Sequence, residues 1–303
     1  NGGWESLQVL KHRRSRTEMF AILGIKLRNI VDPLKLFDIT GKVAVITGGT
    51  GVLGGAMAVG LAQAGAQVVV LGRKKENGDA ILKKIEEVGK KAMFVQADVL
   101  NVDELTAAKA EILDAHKTID ILVNAAGGNM PGATILPEQN FFDLDIEQFQ
   151  KVVDLNLLGT VLPTKIFCDV MAKNKKGSII NIASMSSFRP ITRVVGYSAA
   201  KAAIDNLTGW LAIEMAKKFG PGIRVNAIAP GFFITEQNRR LLTNEDGSFT
   251  PRGQAAINNT PFARFGLPEE LIGTLIWLCS DASAFVTGVD VPVDGGFNVF
   301  CGV

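Results

Sequence analysis

The chain has 303 residues, with 32 Lys and Arg against 30 Asp and Glu, and a formal net charge of +2. That balance offers no broad cationic surface for nucleic acid or an anionic membrane, so neither is expected as a partner. The three cysteines, Cys168, Cys279 and Cys301, are far apart. With only His12 and His116 beside them they form no metal-spaced cluster and no disulfide framework, so no metal is expected.

Residues 1–36 read as an N-terminal extension. Lys11, Arg13, Arg14 and Arg16 precede the apolar stretch Met19–Ile25, which Lys26 and Arg28 interrupt, and no small-residue cleavage site follows. Phe20–Ile30 has the pattern of a short amphipathic helix. No uninterrupted apolar run approaches the roughly 18–20 residues that span a bilayer. The expectation is a cytoplasmic protein with reduced thiols.

From Gly41 onward short apolar runs alternate with helical patterns. Strands are predicted at Lys42–Thr47, Gln67–Leu71, Ala92–Gln96, Ile119–Val123, Ser178–Ile182, Arg224–Ile228 and Asp290–Val293. Helices are predicted at Val52–Ala64, Lys75–Val88, Val102–His116, Ile146–Ala172, Tyr197–Phe219 and Pro268–Ser280. Such alternation predicts βαβ units and one α/β domain over 37–303, a doubly wound parallel sheet of about seven strands with helices on both faces. Two loops, Asn129–Asp143 and Phe232–Gly266, follow strands and should lie over the carboxyl edge of the sheet, where open α/β sheets bind ligands.

The motifs fall on that edge. TGGTGVLG, Thr47–Gly54, occupies a strand-to-helix turn. Its Thr47, Gly48, Thr50, Gly51, Val52, Leu53 and Gly54 are candidates to hold a pyrophosphate, because glycines admit close approach and the helix start offers free N–H groups. Such turns also occur without nucleotide. After the second strand, Gly72 stands where NAD sites usually hold an acid, and Arg73 follows. A guanidinium there can pair with a 2′-phosphate, so the cofactor reads as NADP or NAD with NADP favoured, although a solvated basic strand end would look the same. Asp98, with Val99 beside it, is placed to accept from an adenine amine. Asn124, Ala125, Ala126 and Gly127 end a strand with small residues that let a cofactor lie close; ordinary turn chemistry would also account for either.

The strongest pattern is Ser184, Tyr197 and Lys201. Tyr197 is the only tyrosine in the chain. The Tyr-x-x-x-Lys spacing puts both side chains on one helical face. A neighbouring ammonium is expected to lower the phenol's pKa, so that Tyr197 exchanges a proton with a carbonyl oxygen while Ser184 hydrogen-bonds the same atom.

Taken together, Thr47–Gly54, Asn124–Gly127, Ser184, Tyr197/Lys201 and Pro230-Gly231 resemble the short-chain dehydrogenase/reductase family. The resemblance implies an NAD(P)-dependent oxidoreductase interconverting a ketone and a secondary alcohol, usually as a homotetramer or dimer. It makes Tyr197 the acid/base, Ser184 the carbonyl-polarising group and Lys201 the ribose-binding residue that tunes Tyr197. Asn156 becomes the fourth catalytic member, holding a water that links Lys201 to solvent. Pro230, Gly231, Phe233 and Thr235 fall on the nicotinamide side, with Thr235 at the carboxamide. One departure stands out: Val52 occupies the family's middle glycine and Gly51 precedes it, which re-shapes the approach to the phosphate.

A narrower resemblance is to D-mannonate oxidoreductases, also called fructuronate reductases. It is carried by TGGTGVLG, GGNMPGAT (127–134), SFRPITRVVGYSAAK (187–201), FFITEQNRRLL (232–242) and DGSFTPRGQ with TPFARFG (246–266). It implies reduction of D-fructuronate to D-mannonate in hexuronate breakdown. A sugar acid needs cations for its carboxylate and polar groups for its hydroxyls. Arg189, Arg193, Arg239 and Arg252 are the candidate carboxylate partners, and Asn129, Gln237 and Asn238 the candidate hydroxyl partners. Another sugar acid of gluconate type, or a 3-oxoacyl carrier, would use the same chemistry. A non-catalytic NAD(P) sensor is disfavoured because Asn156, Ser184, Tyr197 and Lys201 are all present.

Overall fold

Strand β1 (Val43–Thr47) is buried along its whole length, and its side chains feed two separate cores. Ala44 and Ile46 join one, with Met57, Leu61, Val70, Ile85, Ile121 and Leu275. Val43 and Val45 join the other, with Leu71, Leu105, Ile112, Phe167, Met171 and Val225. A strand covered on both faces carries no polar alternation, which is why this one reads as a continuous apolar run.

The computed structural model describes residues 32–236 and 238–302. Its seven strands are all parallel, in the order β3-β2-β1-β4-β5-β6-β7. The others are β2 (Gln67–Gly72), β3 (Ala92–Gln96), β4 (Ile121–Asn124), β5 (Gly177–Ile182), β6 (Ile223–Pro230) and β7 (Asp290–Val293). The order reverses between β1 and β4, so their carboxyl ends flank the crevice in which a doubly wound sheet binds ligands. Helices α1 (Val52–Gln63), α2 (Lys75–Glu87) and α3 (Val102–His116) connect the first four strands. Residues from Phe37 onward form one compact unit. The predicted helix Phe20–Ile30 lies outside the described residues.

The long helix expected at Ile146–Ala172 is present as one continuous helix, Ile146–Asn174, in which the α-helical segments α4 (Ile146–Val153) and α5 (Gly159–Asn174) are joined by a wide π-helical turn, Asp154–Leu158. This stretch is long and apolar enough to cross a membrane by length and composition, but half of its most apolar window is buried inside the protein. Phe167, Cys168 and Met171 sit in the core, so it is read as a core helix. Helix α6 (Val195–Phe219) carries the Tyr-x-x-x-Lys pair. The stretch 232–266, predicted as a loop, holds two helices, α7 (Arg239–Leu242) and α8 (Pro251–Asn258). The Thr250 side chain caps α8 by accepting from the Gly253 N–H, and Pro251 fills its first position. The predicted helix Pro268–Ser280 begins as a 3₁₀ turn, Pro268–Leu271, before α9 (Ile272–Cys279).

Candidate active site

The glycine-rich turn is built by contacts that exclude side chains. Gly48 has φ +61°, and a Cβ there would lie 2.6 Å from the Ala126 nitrogen and 2.7 Å from the Ala125 oxygen. The turn after β1 therefore rests directly on the segment after β4. A Cβ on Gly54 would run into the Gly48 carbonyl. Thr47 is fully buried, and its hydroxyl accepts from the Ala125 and Ala126 N–H groups, tying the two strand ends together. Asn124 is likewise turned inward, donating to Thr164 and Asn181. Both were candidates to touch a cofactor; their side chains hold the crevice in shape instead.

Gly51 is different. It caps α1 with no side-chain hydrogen bond, is exposed, and a Cβ there would meet only the Gly48 oxygen at 3.4 Å. Protein packing does not demand this glycine, so it leaves bare backbone open to a ligand. Val52 is the first residue of α1, with its side chain 37% exposed, and Leu53 packs against the core. The approach that the family places at the middle glycine is available here one residue earlier.

At the end of β2 a Cβ on Gly72 would meet the Thr50 side chain at 2.7 Å, which leaves no room for an acid. Arg73 is exposed, with Nη1 3.9 Å from Asp98 Oδ2. The Asp98 carboxylate also accepts from the Leu100 N–H, and its backbone N–H donates to Glu104. Val99 is buried and supports the turn. These positions, with the glycine turn and Ala125–Gly127, form a continuous edge suited to a dinucleotide: bare backbone for the pyrophosphate, small residues beneath the ring systems and a cation at the adenosine end.

The catalytic candidates converge beside Gly127. Lys201 is buried, donates from Nζ to the Ile182 carbonyl at 2.6 Å, and lies 5.6 Å from the centre of the Tyr197 ring. A Cβ on Gly127 would lie 2.7 Å from Asn156 Oδ1 and 3.4 Å from Lys201 Nζ. Asn156, fully buried in the wide turn between α4 and α5, accepts from the Gly128 N–H and donates to the Gly128 and Val152 carbonyls. Its side chain therefore pins the segment after β4 against Lys201, while the resemblance had given it a water to hold. Ser184 begins the 3₁₀ turn Met185–Ser187 at the end of β5. Its Oγ accepts from the Ser186 N–H, and the hydroxyl hydrogen-bonds Tyr197.

One expectation is corrected. Burial pushes the Tyr197 phenol above its ordinary value and outweighs the Ser184 hydrogen bond, which lowers it. Burial also pulls Lys201 down to about 8, against the raising influence of Asp290. Desolvation dominates both groups. The result suits the reductive direction, because a phenol that keeps its proton at neutral pH can give it to a carbonyl oxygen.

Toward the substrate side, Gly231 donates to the Val293 carbonyl and abuts Asp294, following Pro230 at the end of β6. Phe233 is buried against Gly266. The amide of Asn238 is spent within its own loop: Oδ1 accepts from the Thr235 N–H and Nδ2 donates to the Phe233 carbonyl. Arg189 donates to the Phe300 carbonyl, and Arg239 is exposed at the start of α7. Gln237 lies outside the described residues. Asn129 donates to Met130 and Thr134, and its Oδ1 is buried without a partner among the described residues. Arg252 on α8 donates to the Thr192 hydroxyl and carbonyl. Its neighbour Arg193 has φ +75° and supplies its carbonyl to the Ile135 N–H. Arg252 is held below its ordinary value by burial and, less, by the Arg193 charge, and its bonds to Thr192 bring it to the backbone beside Arg193.

The short chain dehydrogenase family model matches residues 42–246. The uncharacterized oxidoreductase UxuB of Bacillus subtilis (strain 168) is 47% identical over 275 residues, covering 88% of this chain and 98% of its own length. A solved structure from Haemophilus influenza, provisionally assigned as a D-mannonate oxidoreductase and holding NAD, is similar with a TM-score of 0.82 and 42% identity, over 88% of this chain and 98% of that one. A provisionally assigned gluconate dehydrogenase from Agrobacterium tumefaciens is similar with a TM-score of 0.78 and 34% identity, over 87% of this chain and 98% of that one. With the glycine turn, the parallel sheet and the Ser–Tyr–Lys arrangement in place, the chain belongs to the short-chain dehydrogenase/reductase family of oxidoreductases.

Proposed function

We propose that this protein reduces the ketone of D-fructuronate to the secondary alcohol of D-mannonate, using NADPH or NADH, as a cytoplasmic step of hexuronate breakdown. The observation that carries the substrate reading is the Arg193–Arg252 pair. Neither guanidinium has an acidic partner among the described residues. Two partly buried cations, one bonded to the residue that precedes the other and neither in bonding distance of an acid, suit a carboxylate. The unpartnered Asn129 Oδ1 offers an acceptor to a sugar hydroxyl.

When bound, the nicotinamide supplies hydride to the carbonyl carbon. The chain's own residues do the rest. Ser184 hydrogen-bonds the carbonyl oxygen, the Tyr197 hydroxyl gives that oxygen its proton, and Lys201 holds the ribose and the ring of Tyr197 in register. NADP is favoured because Arg73 lies exposed at the adenosine end, held only by a long 3.9 Å approach to Asp98, while the Thr50 side chain crowds the place of an acid at Gly72. A homotetramer or dimer is the expected assembly; Trp210 and Ile213, each 59% exposed on α6, are apolar surface it would cover. The likeness to a gluconate dehydrogenase supports a second reading in which another sugar acid is the substrate and the arginine pair keeps its role.

Arg252→Met is expected to raise KM for fructuronate by about 10–100-fold, the loss of one charge-assisted hydrogen bond, with little change in KM for an uncharged ketose. Steady-state kinetics on both substrates decide it. An equal loss on both would mean that Arg252 only supports the Thr192 segment.

A further inference from the structure

Strand β7 begins with an acid where a sheet normally carries an apolar residue. Asp290 pairs with Ala227 of β6. Ala227 packs with Ile204 of α6, and side chains at paired positions of a parallel sheet point to the same face. The Asp290 carboxylate is therefore delivered to the side of the sheet covered by α6. Both of its oxygens are buried, and neither has a hydrogen-bond partner among the described residues. An isolated carboxylate in such a place is costly unless a charge compensates it.

The charged groups around it are few. On α6, Tyr197, Lys201 and Asp205 follow at intervals of four, so they lie along one face. Lys201 is the cation that acts on Asp290, and Asp205 is the like charge that opposes it. Among the described residues the Lys201 ammonium has one hydrogen-bond acceptor, the Ile182 carbonyl, and no ion pair within bonding distance.

We propose that Asp290 is a positioning residue for the reaction: its carboxylate, with Asp205 as the competing charge, sets the protonation of the catalytic Lys201. Burial and Asp205 raise Asp290 to about 7, and Lys201 opposes that rise. Above that pH the ionised carboxylate holds Lys201 charged; below it Asp290 takes a proton and the support is withdrawn. The pair would thus couple Lys201 to pH in the neutral range. This rests on Lys201 being the catalytic lysine and on no particular substrate.

The test titrates Lys201 directly in the cofactor-free protein, by NMR of ¹³C-labelled lysine with the resonance assigned through Lys201→Met. Asp290→Asn is expected to move the Lys201 midpoint about one pH unit lower and to shift the alkaline limb of kcat by the same amount, with Asp290→Glu restoring both. A folded Asp290→Asn protein whose Lys201 titrates unchanged would overturn the proposal, even if activity fell, because that would be a structural defect. If Asp290→Asn does not fold, Asp205→Asn decides. It removes the like charge, so the inflection that Asp290 imposes on the Lys201 resonance should move to lower pH, and an unmoved or missing inflection would overturn the proposal. A failure with fructuronate alongside a shifted Lys201 titration would sink the substrate reading and leave this one standing.

Discussion

Tyr197→Phe is expected to lower carbonyl reduction by about 10²–10⁴-fold, the range for loss of a positioned proton donor, while leaving cofactor affinity within about twofold. The phenol is the one acid hydrogen-bonded to Ser184, and its ring lies beside the Lys201 ammonium. Phenylalanine keeps the ring and removes only the O–H, so the cofactor edge built by Gly48, Gly51 and Gly127 is undisturbed. Because Tyr197 is the sole tyrosine, ultraviolet tyrosine absorbance should vanish in the variant, which verifies the substitution in the same sample. Turnover near that of the unaltered protein would show that another group delivers the proton.

Gly48→Ala should damage both fold and cofactor binding. A left-handed φ costs an L-residue roughly 1–2 kcal/mol. The added Cβ would also press on the Ala126 nitrogen at 2.6 Å, a backbone contact that cannot rotate away. Forcing the ends of β1 and β4 apart adds a further ~1–3 kcal/mol. The crevice between them is the one that the sheet order reverses around, so cofactor affinity should fall about tenfold or more. Thermal unfolding and fluorescence titration with NADPH measure the two effects. Gly51→Ala is the control, since its Cβ meets nothing closer than 3.4 Å in the protein. It should keep its thermal stability and weaken only cofactor binding, the mark of a glycine kept for a ligand.

Much of this was legible in the chain itself, for identifiable reasons. β1 announces itself because burial on both faces removes polar alternation. The Ser184, Tyr197 and Lys201 pattern survives because helical spacing alone brings two of its members together. The helix α8 carried a readable start signal in Thr250-Pro251, which the surrounding polar residues obscured. Other features depend on tertiary contact. Nothing in DLNLL marks the wide turn that aims Asn156 at Gly128. Asn238 looks like a substrate ligand until the loop folds back and consumes both ends of its amide. The direction of the Tyr197 shift went the other way because spacing shows the lysine but not the desolvation that acts on both groups. Asp290 was passed over because β7 and α6 are distant in sequence, and only the register with Ala227 turns it toward Lys201.

The most direct measurement mixes the purified protein with D-fructuronate and follows NADPH and NADH oxidation separately, beside 5-ketogluconate and an acetoacetyl thioester. The account predicts rapid oxidation with fructuronate, faster with NADPH than with NADH, and little with the thioester. Turnover of the thioester in preference to either sugar acid would contradict it, because the Arg193–Arg252 pair would then have no carboxylate to meet.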